Sequence, residues 1–143
     1  MRLPMLLLAL FPVFAGNTAQ AASAEAAIFE SVCLQNAPAF EQSAVERAAM
    51  AVRYKGNGIL RQGGVSFRPN DFCKVALPVA GKPDDAEVQA LAARFAAQTG
   101  GTVRPRKSAI GGALWFEVRI GSIKYGIEGG SASNARYFII AKR

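Results

Sequence analysis

Histidine is absent from all 143 residues. Its absence removes the commonest general base, the commonest zinc ligand and any Ser-His or Cys-His nucleophile pair. Cysteine is nearly as scarce. Cys33 and Cys73 are the whole complement and stand 40 positions apart, whereas redox pairs usually come as Cys-x-x-Cys. Acidic residues number 10 against 17 Lys and Arg, so paired-carboxylate chemistry has few candidates. In the strand-rich C-terminal third only Glu117 and Glu128 are present. Beyond the first 15 residues, no apolar run approaches the roughly 20 residues that a spanning helix needs.

Those first residues read as an export signal. Met1-Arg2 gives a positive start, Leu3 to Ala15 is apolar but for Pro4 and Pro12, and Ala19-Gln20-Ala21 is a small-x-small cleavage site. Ala22-Ser23-Ala24 is a second candidate for the cut. The expected organisation is a signal peptide over 1–21 and a single domain over 22–143, working in the periplasm or outside the cell. Cys33 lies too far past the hydrophobic run to be a lipoprotein cysteine. In an oxidising compartment two cysteines predict one disulfide. Closing a 40-residue loop would stabilise the fold by roughly 4 kcal/mol.

Charge is unevenly spread. Residues 22–101 hold eight cations and eight anions; residues 102–143 hold Arg104, Arg106, Lys107, Arg119, Lys124, Arg136, Lys142 and Arg143 against Glu117 and Glu128. The whole excess of six lies in the last third, a pattern suited to an anionic partner. For an exported chain that means an anionic envelope component or an acidic protein; nucleic acid is a poor candidate. The bland alternative is a solvated face that aids solubility.

Hydrophobic spacing predicts the elements. Ile28, Phe29, Val32 and Cys33 form one stripe of a helix over 24–36. Phe40, Ala44, Ala48 and Val52 recur every four residues over a second helix, 40–52. Gly56-Asn57-Gly58 reads as a turn, not a phosphate loop, because the Gly-Lys-Ser/Thr ending is missing. Val65–Arg68 and Phe72–Val79 flank the turn-rich Pro69-Asn70-Asp71, with Cys73, Val75, Leu77 and Val79 facing a core. Asp84 with Glu87 has capping-box spacing, ahead of the stripe Val88, Leu91, Ala92, Phe95 and the stop Gly100-Gly101.

In the last third, Leu114, Phe116, Val118 and Ile120 alternate with Trp115, Glu117 and Arg119. Gly121-Ser122 is a two-residue hairpin turn, which sets Ile120 against Ile123, Val118 against Tyr125 and Phe116 against Ile127. Every apolar pair then falls on one face. A polar loop, 129–134, leads to a final strand, 136–141. The fold class is therefore α+β, an antiparallel sheet of about five strands with helices packed on one face, in the order α-α-β-β-α-β-β-β. The expected disulfide pins the first helix to the sheet.

The opposite side of this hairpin carries the candidate site: Trp115, Arg119 and Lys124, with Arg104, Arg106 and Lys107 just before it. The register sets Arg119 across from Lys124, and like charges so placed repel unless an anion relieves them. Trp115 adds a flat amphipathic contact. No metal or cofactor motif accompanies these residues. The layout resembles small proteobacterial envelope proteins that pair an export signal with two cysteines, an early helix carrying Phe-x-x-x-Cys (Phe29 to Cys33) and a strand carrying Cys-x-Val (Cys73 to Val75). That resemblance implies a periplasmic location and a disulfide, and it transfers no activity. The leading expectation is a non-enzymatic exported protein that binds an anionic envelope partner through its basic C-terminal sheet. The alternatives are a small hydrolase using Glu117 or Glu128, and a purely structural envelope protein.

Overall fold

The computed structural model describes residues 23–54 and 64–143. The expected signal segment over 1–21 and the Gly56-Asn57-Gly58 turn lie outside the described residues; the second candidate cut, after Ala24, falls within them. Helix α1 (Ala24–Val32) runs through a 3-10 turn (Leu34–Asn36) to α2 (Gln42–Tyr54). Then follow β1 (Gly64–Arg68), β2 (Phe72–Leu77), α3 (Asp85–Thr99), β3 (Thr102–Lys107), β4 (Leu114–Ile120), β5 (Ile123–Ala132) and β6 (Ala135–Lys142). The strands form one antiparallel sheet in the order β1-β2-β6-β5-β4-β3, with the helices on one side. The expected α+β architecture is thus present, with six strands where about five were expected.

The sixth strand is β3, which lies at an edge. Its sequence, Thr102 to Lys107, contains Pro105 and three cations, the composition that edge strands use against unwanted pairing. Proline is tolerated there because an edge strand has a neighbour on one side only. The expected loop at 129–134 is also mostly strand. β5 continues to Ala132, paired with β6 as far as Ala135. Two glycines that read as loop residues are close-packing positions: a Cβ on Gly129 would come within 2.8 Å of Pro83, and the Tyr137 ring lies across Gly130.

One continuous core fills the space between helices and sheet. From α1, Ala26, Ile28, Phe29 and Val32 are buried; from α3, Val88, Leu91, Ala92, Phe95 and Ala96; from the sheet, Cys73, Val75, Leu77, Phe116, Val118, Tyr125, Ile127, Phe138 and Ile140. Phe29 stacks on Phe138 with centroids 5.5 Å apart, and Phe95 meets Tyr125 edge-on at 6.2 Å. α1 thus covers the β2–β6 half and α3 the β4–β5 half. Cys33 and Cys73 are bonded, fully buried, and join α1 to β2.

Helix ends depart from the simple pattern in three places. α1 stops at Val32 instead of running to Asn36, because Asn36 turns back to donate its side-chain N–H to the Val32 carbonyl at 2.9 Å, a local competitor of helix propagation. α2 begins at Gln42, so Phe40 precedes it, and Val45 and Ala49 take the buried positions. Asp84 occupies the N-cap of α3 but makes no side-chain cap bond. Its expected partner Glu87 instead accepts the backbone N–H of Ser23 at 3.2 Å, while the Ser23 hydroxyl accepts from Ala26 at 3.1 Å. A carboxylate on α3 therefore completes the cap of α1.

Candidate functional site

Among the described residues nothing covers the sheet face turned away from the helices. Alternation along the strands decides what stands on it. β4 contributes Trp115, Glu117 and Arg119; β5 contributes Lys124, Gly126 and Glu128; β3 contributes Arg104 and Arg106. The register is the expected one, with Arg119 opposite Lys124, Glu117 opposite Gly126, and Ile120, Val118 and Phe116 opposite Ile123, Tyr125 and Ile127. β3 adds Arg104 across from Glu117 and Arg106 across from Trp115. Five of the six proposed binding residues thus share this face. Lys107 does not: it pairs with Leu114, on the side where Phe116 and Val118 enter the core.

Glu117 sits in the middle of the cations and is 6% exposed. Arg106 donates a hydrogen bond to its Oε1 at 3.1 Å. That bond holds the carboxyl below its ordinary pKa, against the opposing effect of desolvation; the charges of Arg106, Lys124 and Arg119 act in the same direction as the bond. Glu117 is therefore a fixed anion that orders Arg106, and it is poorly suited to donate a proton. Glu128, on the neighbouring strand, is paired with Arg143 at 3.4 Å. Each candidate hydrolytic carboxylate is thus occupied by an arginine. A cleft of about 310 Å³, lined by residues including Val45, Met50 and Phe67, lies by α2 and β1, across the sheet from both carboxylates.

Trp115 is half-buried and has a cation over it: the Arg143 guanidinium lies 5.0 Å from the ring centroid. Arg143 reaches this position because its N–H bonds to the Lys124 carbonyl at 2.9 Å, which extends the β5–β6 pairing by one residue. Glycine at 126 leaves room for both groups, since a Cβ there would come within 2.6 Å of Arg143 Nε and 3.2 Å of Trp115. Further along the sheet, Lys74 Nζ lies 4.3 Å over the Tyr137 ring. Arg143, Tyr137, Lys74 and Gly126 were not singled out from sequence. Continuing the hairpin register past the end of β6 would have found Arg143; the other three carry no distinguishing signal.

Among the described residues no carboxylate pairs with Arg104, Arg119 or Lys124. The β3–β4–β5 part of the face thus presents three cations without a carboxylate partner around an internally neutralised Arg106–Glu117 pair. Chemically it can hold anionic oxygens by charge-assisted hydrogen bonds and offer a Trp–Arg stack at its rim. No group of three or more metal-ligating side chains occurs among the described residues. In comparison with known proteins, the chain matches no family model, no curated protein and no solved structure.

Proposed function

We propose that this is an exported, periplasmic binding protein that takes an anionic envelope component against the uncovered face of its sheet. The observation that carries the reading is the juxtaposition of Arg104, Arg119 and Lys124 on one open face with no carboxylate partner among the described residues. Arg106 and Arg143 are already paired, with Glu117 and Glu128, so Arg104, Arg119 and Lys124 are the cations left here for an external anion. Placing Arg119 and Lys124 directly opposite one another costs stability in the unbound chain, a cost that a bridging phosphate or carboxylate removes. A buried disulfide fits the oxidising compartment that the export signal implies. No described helix is long and apolar enough to cross a membrane.

The test is a charge reversal. Arg119→Glu with Lys124→Glu should leave the fold intact, because both side chains point away from the core. Co-sedimentation with phosphatidylglycerol vesicles should fall sharply in the double variant. For the parent chain it should weaken from 10 mM to 150 mM salt, as the screening length shortens from about 30 Å to about 8 Å. Full binding by the double variant, or binding indifferent to salt, would reduce the face to a solvated surface.

A further inference from the structure

We infer that the β3–β4 hairpin tip, residues 108–113, docks on a lipid bilayer, setting Ile110 into its apolar boundary while Arg104 and Lys107 hold the phosphate headgroups. This rests on the anion-binding reading above and names its partner as an anionic lipid surface. Ile110 is 89% exposed, more than the other exposed large hydrophobic residues among those described, Met50 at 51% and Ile123 at 39%. A lone exposed isoleucine is ordinary on a soluble protein; the surroundings are what give this one a partner.

Three features converge on the tip. The first is its shape. The Ser108 N–H donates to the Ala113 carbonyl at 2.8 Å and closes the base of the loop. Gly111 and Gly112 turn the chain at φ 76° and 64°, a region that glycine enters without steric cost. A Cβ on either glycine would meet nothing within 4 Å, so the tip stands clear of the body. The second is charge. Arg104 and Lys107 point to opposite sides of β3 and have no carboxylate partner among the described residues, so cations stand behind the loop on both faces of the sheet. Lys107, which falls away from the uncovered face, belongs to this collar. No Asp or Glu occurs from Val88 to Phe116, and Glu117, the next acid, is bonded to Arg106, which leaves Arg104 and Lys107 without an anion of their own. The third is Trp115, across from Arg106 and two residues beyond the loop, at the level where an amphipathic ring favours the headgroup zone.

A bilayer accommodates all three at once: hydrocarbon beneath the isoleucine, headgroups around the tryptophan, phosphates against Arg104 and Lys107. An acidic protein would satisfy the cations but has no general use for an apolar side chain at their centre. Residues Arg119 and Lys124 lie further back, about 13 Å along β4 from Trp115 at 3.3 Å per residue. They meet the membrane surface only when the sheet tilts its uncovered face toward the headgroups.

The experiment measures partition of the full exported chain onto phosphatidylglycerol-containing vesicles, with phosphatidylcholine vesicles as reference. Ile110→Asp should weaken binding roughly tenfold, the scale of burying one aliphatic side chain, with circular dichroism unchanged. Lys107→Glu should weaken it by more than the about fivefold expected for one cation near an anionic surface, since it replaces attraction with repulsion. Met50→Asp, on the far side of the molecule, should have no effect. Because Trp115 is the one tryptophan, Ile110→Trp in a Trp115→Phe chain reports the tip directly, and lipids brominated on their acyl chains should quench it. Strong, salt-sensitive binding without quenching and without loss in Ile110→Asp would overturn tip insertion and leave the anion-binding face standing. Failure to bind phosphatidylglycerol vesicles, with retention by a soluble acidic protein, would overturn the lipid partner.

Discussion

Glu117 is the residue on which the uncovered face turns. A carboxylate surrounded by Arg104, Arg106, Arg119 and Lys124 would attract any of them, yet only Arg106 bonds it. Its pKa is depressed by that bond first and by the nearby charges second. A depressed folded-state value means that the unfolded chain binds the proton more tightly. The stabilisation is therefore complete above the unfolded value, about 4.3, and is lost as pH falls through the lower folded value. Glu117→Gln should accordingly be less stable than the parent at pH 6, and the gap should close as pH is lowered below about 4.3. Urea midpoints across that range check this, and parallel curves would show that the ion pair adds nothing. The sequence made Arg119 and Lys124 legible as neighbours because a two-residue turn fixes hairpin register. It could not reveal the Arg106–Glu117 bond, which depends on β3 being a strand.

At the scale of elements, legibility followed hydrophobic spacing and failed where packing replaced it. α1, α3 and the β4–β5 hairpin carry unmistakable apolar stripes or alternation, and they lie where those patterns put them. β3 has only Val103 as an inward apolar side chain of any size besides Pro105, so it has no period to read; its place is set by pairing with β4. The end of β5 is hidden for another reason. Gly129 and Gly130 look like loop residues until Pro83, Val88 and Tyr137 are seen to occupy the space their side chains would fill. Capping shows the same limit. The Asp84–Glu87 spacing marks the start of α3, but the Glu87 carboxylate serves Ser23, 64 residues away. Ser23→Ala should cost about 1 kcal/mol, the usual value of an N-cap hydroxyl, and lower the melting temperature by about 4 °C. Glu87→Ala should destabilise measurably, and Glu87→Gln should restore most of the loss, since an amide oxygen still accepts the Ser23 N–H. A Gln variant as weak as the Ala variant would show that the contact between the helices is incidental. The same cap bears on the expected signal cleavage: a cut after Ala21 keeps Ser23 and a cut after Ala24 discards it, so a processed chain should have a mass that includes Ser23.

In the whole molecule α1 and α3 cover different halves of the sheet, and the two halves are held differently. α3 lies between β2 and β3 in the chain and covers its part of the core with a short, local connection. α1 covers β2 and β6 from a position 40 residues before β2, so ordering it means closing a long loop, whose entropic cost the bonded cysteines impose on the unfolded chain instead. Non-covalent ties support α1 as well: the Phe29–Phe138 stack, and Arg94 of α3 donating to both oxygens of Glu30 at 3.2 Å. Such a partly exposed ion pair contributes only about 0.2–1 kcal/mol. The disulfide should therefore dominate the stability of this half. Cys33→Ser with Cys73→Ser should lose about 2–5 kcal/mol, a large share of the roughly 5–15 kcal/mol that holds a domain of this kind together. Urea unfolding of the oxidised parent, the reduced parent and the double variant checks the prediction. The reduced parent and the double variant should unfold at similarly low urea. The oxidised protein should have a mass two hydrogens below the reduced form. Equal midpoints for all three would mean that packing alone seats α1 on the sheet, whatever compartment the chain occupies.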